Sequence, residues 1–396
     1  MAKKLGYALA GMAGITLVST ALLLSFIIAN AEKMIRFVLN LNVLLSFVFA
    51  GLAFYYEQVW IGCILLFVAL LNVCYLRAVQ SRIPFASANL KVASAAIKEN
   101  WSVVLVSYVV VLQSVVWSGI WVAASYGVYN YGNNEDDTPT NDDGTTSSDV
   151  GGSTGMMLFL LLLSFYWTHE ILRNISHVTT AGVVASYWYE PDRSSVVSGA
   201  YCRACSTSLG SIAFGSLIVA FLQTLKAMAE QAERKGSSAA CLARCILQCF
   251  ENLMRYFHRW AFVYVGIYGD SFIRSGKAVM TLFKDRGVTT IVNDNLIQST
   301  LSFLALMVGC IMAGAGAIIP SISGTAFDEL DSAVYILAIM GFLLGIFMTS
   351  IMTSVIDSGV ATVFVCFSEG SDVLEQTHPS LFYELSSAWK EMGYRC

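Results

Sequence analysis

The chain has 396 residues, 56% of them hydrophobic and only 13% charged, with a formal net charge of −4. Soluble domains carry about 25% charged residues, so an ordinary soluble domain is excluded, and so small a charge gives no basis for a nucleic-acid partner. Apolar runs of helix length, rather than short alternating segments, exclude a β-barrel and predict an all-α polytopic membrane protein.

Taken in order, residues 5–31 form a first span behind Lys3 and Lys4, too long and without the cleavage site of a signal peptide. A polar break from Glu32 to Arg36 leads to a second span at about 37–56, and Glu57-Gln58 separates it from a third at 59–76. Arg77 to Lys98 carries Arg77, Arg82, Lys91 and Lys98, with Leu90, Ala93 and Ile97 at helical spacing. It is expected to lie as an amphipathic helix on the cytoplasmic face. Parity then puts the 32–36 turn inside and the N-terminus outside.

A fourth span, 101–126, carries Trp101, Trp117 and Trp121. Residues 127–154 hold six carboxylates (Glu135, Asp136, Asp137, Asp142, Asp143, Asp149) and no Lys or Arg. This reads as a solvated external loop; a role in concentrating cations at an entry mouth is the alternative. It contains no N-x-[ST] sequon.

The fifth element, 155–190, exceeds the roughly 20 residues needed to span. It carries Glu170, Arg173, Asn174, His177, Thr179 and Thr180 and ends in Tyr187-Trp188-Tyr189. Charged groups at bilayer depth cost roughly 2.5–3.5 kcal/mol each unless they face protein or a wet cavity, so this helix is expected to line a solute path; its excess length means that it tilts, protrudes or breaks, with Asn174 to Thr180 the expected break. A sixth span covers about 207–228, with Ser208, Gly210, Ser211 and Gly215 for close helix approach. A short seventh span, 256–270, follows a helix bearing Cys241, Cys245 and Cys249 on one face; these pack as small apolar residues or accept acyl chains. Charge does not assign sidedness between 190 and 290, because both flanking loops are basic.

An amphipathic stretch to Arg286 precedes the eighth span, 293–319; the ninth, 332–367, holds Gly341-x-x-x-Gly345 and, deep within it, Asp357. The tail from Glu369 is polar and expected to be cytoplasmic. The whole chain reads as one membrane-spanning domain. Pro84, Pro139, Pro191, Pro320 and Pro379 all fall outside the proposed helix centres.

Enzyme motifs fail. His169-Glu170 begins an H-E-x-x-H zinc pattern, but position 173 is Arg, and there is no P-loop. Cys202 and Cys205 form one C-x-x-C pair with no second pair, which is weak for metal. The expectation is a non-enzyme with no cofactor and no metal.

The block Asn174-Ile-Ser-His-Val-Thr-Thr-Ala-Gly-Val-Val-Ala-Ser-Tyr-Trp-Tyr189 resembles the most characteristic stretch of the choline transporter-like proteins. Further blocks are similar in the same order: Gly210 to Ala220, Arg259 to Gly269 extended by Ser271 to Lys277, and Asp357 to Phe367. Arg82 to Lys91 is also similar to the family's basic stretch. The family pattern has ten spanning helices and a cytoplasmic N-terminus, and the nine spans here match it from its second helix onward. The resemblance implies a multi-pass plasma-membrane protein taking up choline, with ethanolamine a further substrate, by facilitated or proton-exchange transport.

A quaternary ammonium has no N–H to donate, so it is held by aromatic faces, each worth about 0.5–2 kcal/mol, with a polar group for the hydroxyl. Trp117, Trp121, Trp167, Tyr187, Trp188, Tyr264 and Tyr268 are the candidate rings, with Asn174 and Thr179 as polar contacts; interfacial belts use the same residue types. Glu170 sits at i, i+3 from Arg173, so it either pairs with it or serves as counter-ion or proton carrier. His177 is a proton carrier or a hydrogen-bonded neutral imidazole. Asp357, with no partner evident in sequence, is a candidate for charge or proton coupling.

Overall fold

The computed structural model describes residues 2–135, 148–234, 236, 238–322 and 333–391, and these are almost entirely helical with no strand among them. In chain order the helices are α1 (Ala2–Ala29), α2 (Ala31–Tyr55), α3 (Val59–Val79), α4 (Ile83–Glu99), α5 (Ser102–Glu135), α6 (Ser148–Tyr189) and α7 (Val196–Cys205). There follow α8 (Leu209–Arg234), α9 (Ser238–Tyr268), α10 (Phe272–Ile322), α11 (Ala333–Glu369), α12 (Ser371–Thr377) and α13 (Pro379–Glu391). Among the described residues, seven segments are long and apolar enough to cross a membrane, on α1, α2, α3–α4, α5, α8, α10 and α11. α6 and α9, counted as spans from the sequence, fall outside that set; both carry the ion pairs described below.

Two compact units emerge. One is drawn from Met1–Val104, Val184–Asp192 and Phe283–Cys396, the other from Leu105–Val183 and Arg193–Leu282.

In the first unit, α2 and α3 form a hairpin whose turn puts Glu57 in the left-handed region (φ 59°). α4 starts with Pro84 in its first turn, where the missing N–H has no helical partner to lose. The expected surface-lying helix is instead a core element. Twelve of its 17 residues are buried, because α1, α2, α11 and α13 all pack around it. The polar tail is likewise docked: Leu374, Leu385 and Trp389 are at most 1% exposed.

Glycines set the α10–α11 crossing. A Cβ on Gly341 would overlap the Met312 carbonyl oxygen, and one on Gly345 would stand 3.0 Å from the Gly309 Cα. The Gly341-x-x-x-Gly345 spacing thus brings backbones together, as in other small-residue helix contacts. Gly341→Ala is expected to destabilise the protein by about 1–3 kcal/mol through overpacking, read as a lower melting temperature in detergent.

In the second unit, α8 and α9 form a hairpin closed at Gly236 (φ 94°). α6 shows no break between Asn174 and Thr180; it runs unbroken for 42 residues. At 1.5 Å per residue that is about 63 Å, roughly twice the hydrocarbon core. Its polar groups do not need a break. The Thr179 and Thr180 hydroxyls donate to the carbonyls of Ile175 (2.7 Å) and Ser176 (2.9 Å), which satisfies them within the helix. α10 likewise joins the amphipathic stretch and the eighth span into one helix.

Candidate functional site

Polar and aromatic residues of the second unit converge along α6. A seam to α5 is built from Ser107–Ser176 (2.6 Å), Ser118–His169 Nε2 (3.1 Å) and the Trp121 indole N–H donating to the Leu161 carbonyl (2.8 Å). The Trp121 ring also lies 4.8 Å from Phe165. Trp167 donates to the Ala213 carbonyl of α8 (2.9 Å). The Trp117 indole nitrogen is buried without a hydrogen-bond partner. Asn174 donates to Ser216 Oγ of α8 (2.9 Å).

Glu170 is not left to Arg173. Its carboxylate meets Arg255 Nη2 of α9 at 2.7 Å, whereas Arg173 Nη1 stands at 3.9 Å. Arg255 Nε also reaches Glu251 at 3.0 Å, and Glu251 receives Lys226 Nζ of α8 at 2.6 Å and Gln223 Nε2 at 3.2 Å. Three cationic groups therefore surround two carboxylates, both less than a tenth exposed. A buried ion network persists only when its charges are paired and hydrogen-bonded. The Glu170 charge is compensated by this pairing.

About two turns beyond Glu170 on α6, the His177 Nε2–H donates to the Arg259 carbonyl of α9 (2.9 Å); the carbonyl only accepts, which assigns the proton to Nε2. A Cβ on Gly266 would lie 2.6 Å from the Ala181 Cβ and 2.9 Å from the Val178 carbonyl oxygen. Gly215 of α8 similarly faces the Phe262 and Phe272 rings. Tyr264, 4% exposed, and Tyr268, 49% exposed, lie with ring centroids 6.0 Å apart.

The remaining predicted residues belong to the first unit. The Trp188 indole N–H donates to the Gly370 carbonyl (3.0 Å), and Tyr187 stacks on His378 at 4.2 Å. Asp357 is partly buried and is not without a partner. Next to it, Gly359 faces Ala93, Ile97 and Val184. The expected site residues thus form two groups: Trp117, Trp121, Trp167, Glu170, Asn174, His177, Thr179, Tyr264 and Tyr268 in one unit, and Tyr187, Trp188 and Asp357 in the other. Lys226, Glu251 and Arg255 were missed as members. The i, i+4 pair Glu251–Arg255 was the available signal.

Cys245 and Cys249 are exposed on α9 and Cys241 partly so, all as free thiols. Among the described residues no cluster of His, Cys, Asp or Glu is suited to a metal ion.

The described residues are helical, with seven segments able to cross a membrane and with buried charge and aromatic rings gathered along one long helix, which is the build of a polytopic membrane protein. Residues 63–372 match the family model described as plasma-membrane choline transporter. The chain belongs to the choline transporter-like family. It is 30% identical to Protein PNS1 of Cryptococcus neoformans var. neoformans serotype D, over 95% of this chain and 70% of that protein. It is 33% identical to Protein PNS1 of Mycosarcoma maydis, over 55% of this chain and 44% of that one. A CTL-like protein of Dictyostelium discoideum is 27% identical, over 85% and 58%. The chain therefore spans from under half to about two thirds of these relatives' lengths.

Proposed function

We propose that this chain carries choline, or a closely related small organic cation such as ethanolamine, across the plasma membrane by facilitated or proton-exchange transport. The observation that supports this most is the family match over residues 63–372, and within the second unit residues of three of the similar blocks touch one another. Asn174 bonds Ser216, His177 bonds the Arg259 carbonyl, and Ala181 faces Gly266. The rings of Trp117, Trp121, Trp167, Tyr264 and Tyr268 supply faces for a methylated ammonium, and Asn174 and Thr179 stand nearby in the chain. Indole N–H groups bonded to backbone carbonyls do not oppose this. Such bonds fix the plane of a ring, and the cation uses the face.

A second reading is a non-transporting membrane scaffold or lipid-homeostasis protein of the same fold. It is favoured by the commitment of Trp121, Trp167, Trp188 and Glu170 to structural bonds. Radiolabelled choline uptake in cells expressing the chain, normalised to surface protein, separates the two. The expected result is uptake above empty-vector cells, with Trp117→Ala raising the half-saturation concentration by about 2- to 30-fold, the value of one cation–π contact. Uptake equal to empty-vector cells overturns the transport reading.

A further inference from the structure

Asn89 of α4 has no exposed surface, and neither its carboxamide nitrogen nor its oxygen has a hydrogen-bond partner. An unbonded amide in an apolar interior is among the costliest side chains a membrane protein can bury. Leucine has the same branched outline, and its apolar branches would carry no such cost.

The place of Asn89 on its helix is informative. Phe85 lies one turn before it and Ala93 one turn after, on the same face. The Phe85 ring meets Phe364 of α11 at 6.0 Å and Trp389 of α13 at 5.0 Å. Ala93 and Ile97 meet Gly359 of α11. The amide is therefore held between two contact points of α4 and α11, with aromatic surface one turn away. A polar pocket of about 330 Å³ lined by Ser87, Lys91, Glu384 and Ser387 opens on a different side. Ser87 and Lys91 are each two residues from Asn89, roughly 200° round the helix.

We propose that the Asn89 carboxamide is a polar contact for the transported solute. It binds the hydroxyl of a small hydroxylated organic cation, accepting its O–H at Oδ1 or donating from Nδ2 to its oxygen. Phe85 and Phe364 present ring surface to the methylated ammonium. In the described arrangement Trp389 closes the end of this face, and α13 is tied to α4 by the Lys91–Glu384 ion pair. The contact forms when α13 withdraws. The inference rests on the transport reading above.

The test compares Asn89→Leu with wild type for choline uptake and for melting temperature in detergent. A solute contact predicts a melting temperature equal to or above wild type, with uptake at least 10-fold lower at subsaturating choline. A second variant, Asn89→Cys, is treated with a small methanethiosulfonate reagent and labelling is read by the mass of the peptide containing position 89. Choline is expected to slow that labelling at least 3-fold. Full uptake by Asn89→Leu, or labelling of Asn89→Cys that choline leaves unchanged, overturns the inference while the transport reading stands. Wild-type uptake equal to empty-vector cells overturns both.

Discussion

Arg255→Leu is expected to destabilise the second unit by about 3–5 kcal/mol, the cost of leaving a buried charge without its partner. Arg255 bonds both carboxylates of the network, 2.7 Å from Glu170 and 3.0 Å from Glu251. Glu251 would keep Lys226, whereas Glu170 would keep only the long contact to Arg173. The measurement is thermal unfolding in detergent, followed by tryptophan fluorescence. Adding Glu170→Gln to Arg255→Leu is expected to restore part of the loss, because the uncompensated charge is then gone. An unchanged melting temperature in the single variant would show that these side chains contribute no more than an exposed pair does.

Gly266→Leu carries the second large effect. Ordinary contacts to a Cβ lie at 3.4–4 Å, and here the first added carbon already falls 2.6 Å from Ala181 and 2.9 Å from the Val178 carbonyl. Both obstacles belong to α6, and the carbonyl is backbone, so it cannot rotate away. A destabilisation of at least about 1–3 kcal/mol follows from overpacking, and the remaining atoms of leucine push α6 and α9 further apart. Monodispersity on size-exclusion chromatography and melting temperature both report it. Gly266→Ala is the milder form, and Ala181→Gly in the same chain is expected to recover part of its loss. If Gly266→Leu is as stable as wild type, the helices do not approach as closely as described.

Particular residues show how far the sequence was legible. The resemblance pointed to Asn174–Tyr189, Gly210–Ala220 and Arg259–Gly269 as characteristic, but not to the reason. The structure supplies one. Ala181 and Gly182 meet Gly266, and Gly215 meets Phe262 and Phe272, so each block contains a position where only a small side chain fits. The expected break in α6 shows the opposite case. The break was expected from the excess length of the element, yet the helix continues through it, with the Thr179 and Thr180 hydroxyls satisfied by carbonyls of their own helix. Spacing found the longer of the two Glu170 ion pairs, to Arg173, and missed the shorter one to Arg255. An i, i+3 rule sees only the helix a residue is on, and Arg255 lies 85 positions away on α9.

Hydropathy and helical spacing by themselves determined that this is an all-α membrane protein and where most of its helices run, while the resemblance of its ordered sequence blocks pointed to the family. That information is local: a run of apolar side chains is long enough to span or it is not. Only the tertiary structure decided that α4 is buried on nearly every side, that the polar tail docks through Trp389, and that the charge of Glu170 is spent on Arg255. Lipid tails and a protein core are equally apolar, so composition cannot distinguish a helix facing one from a helix packed in the other. Which charges meet depends on which helices become neighbours, and neighbours are chosen by the small residues that let backbones approach.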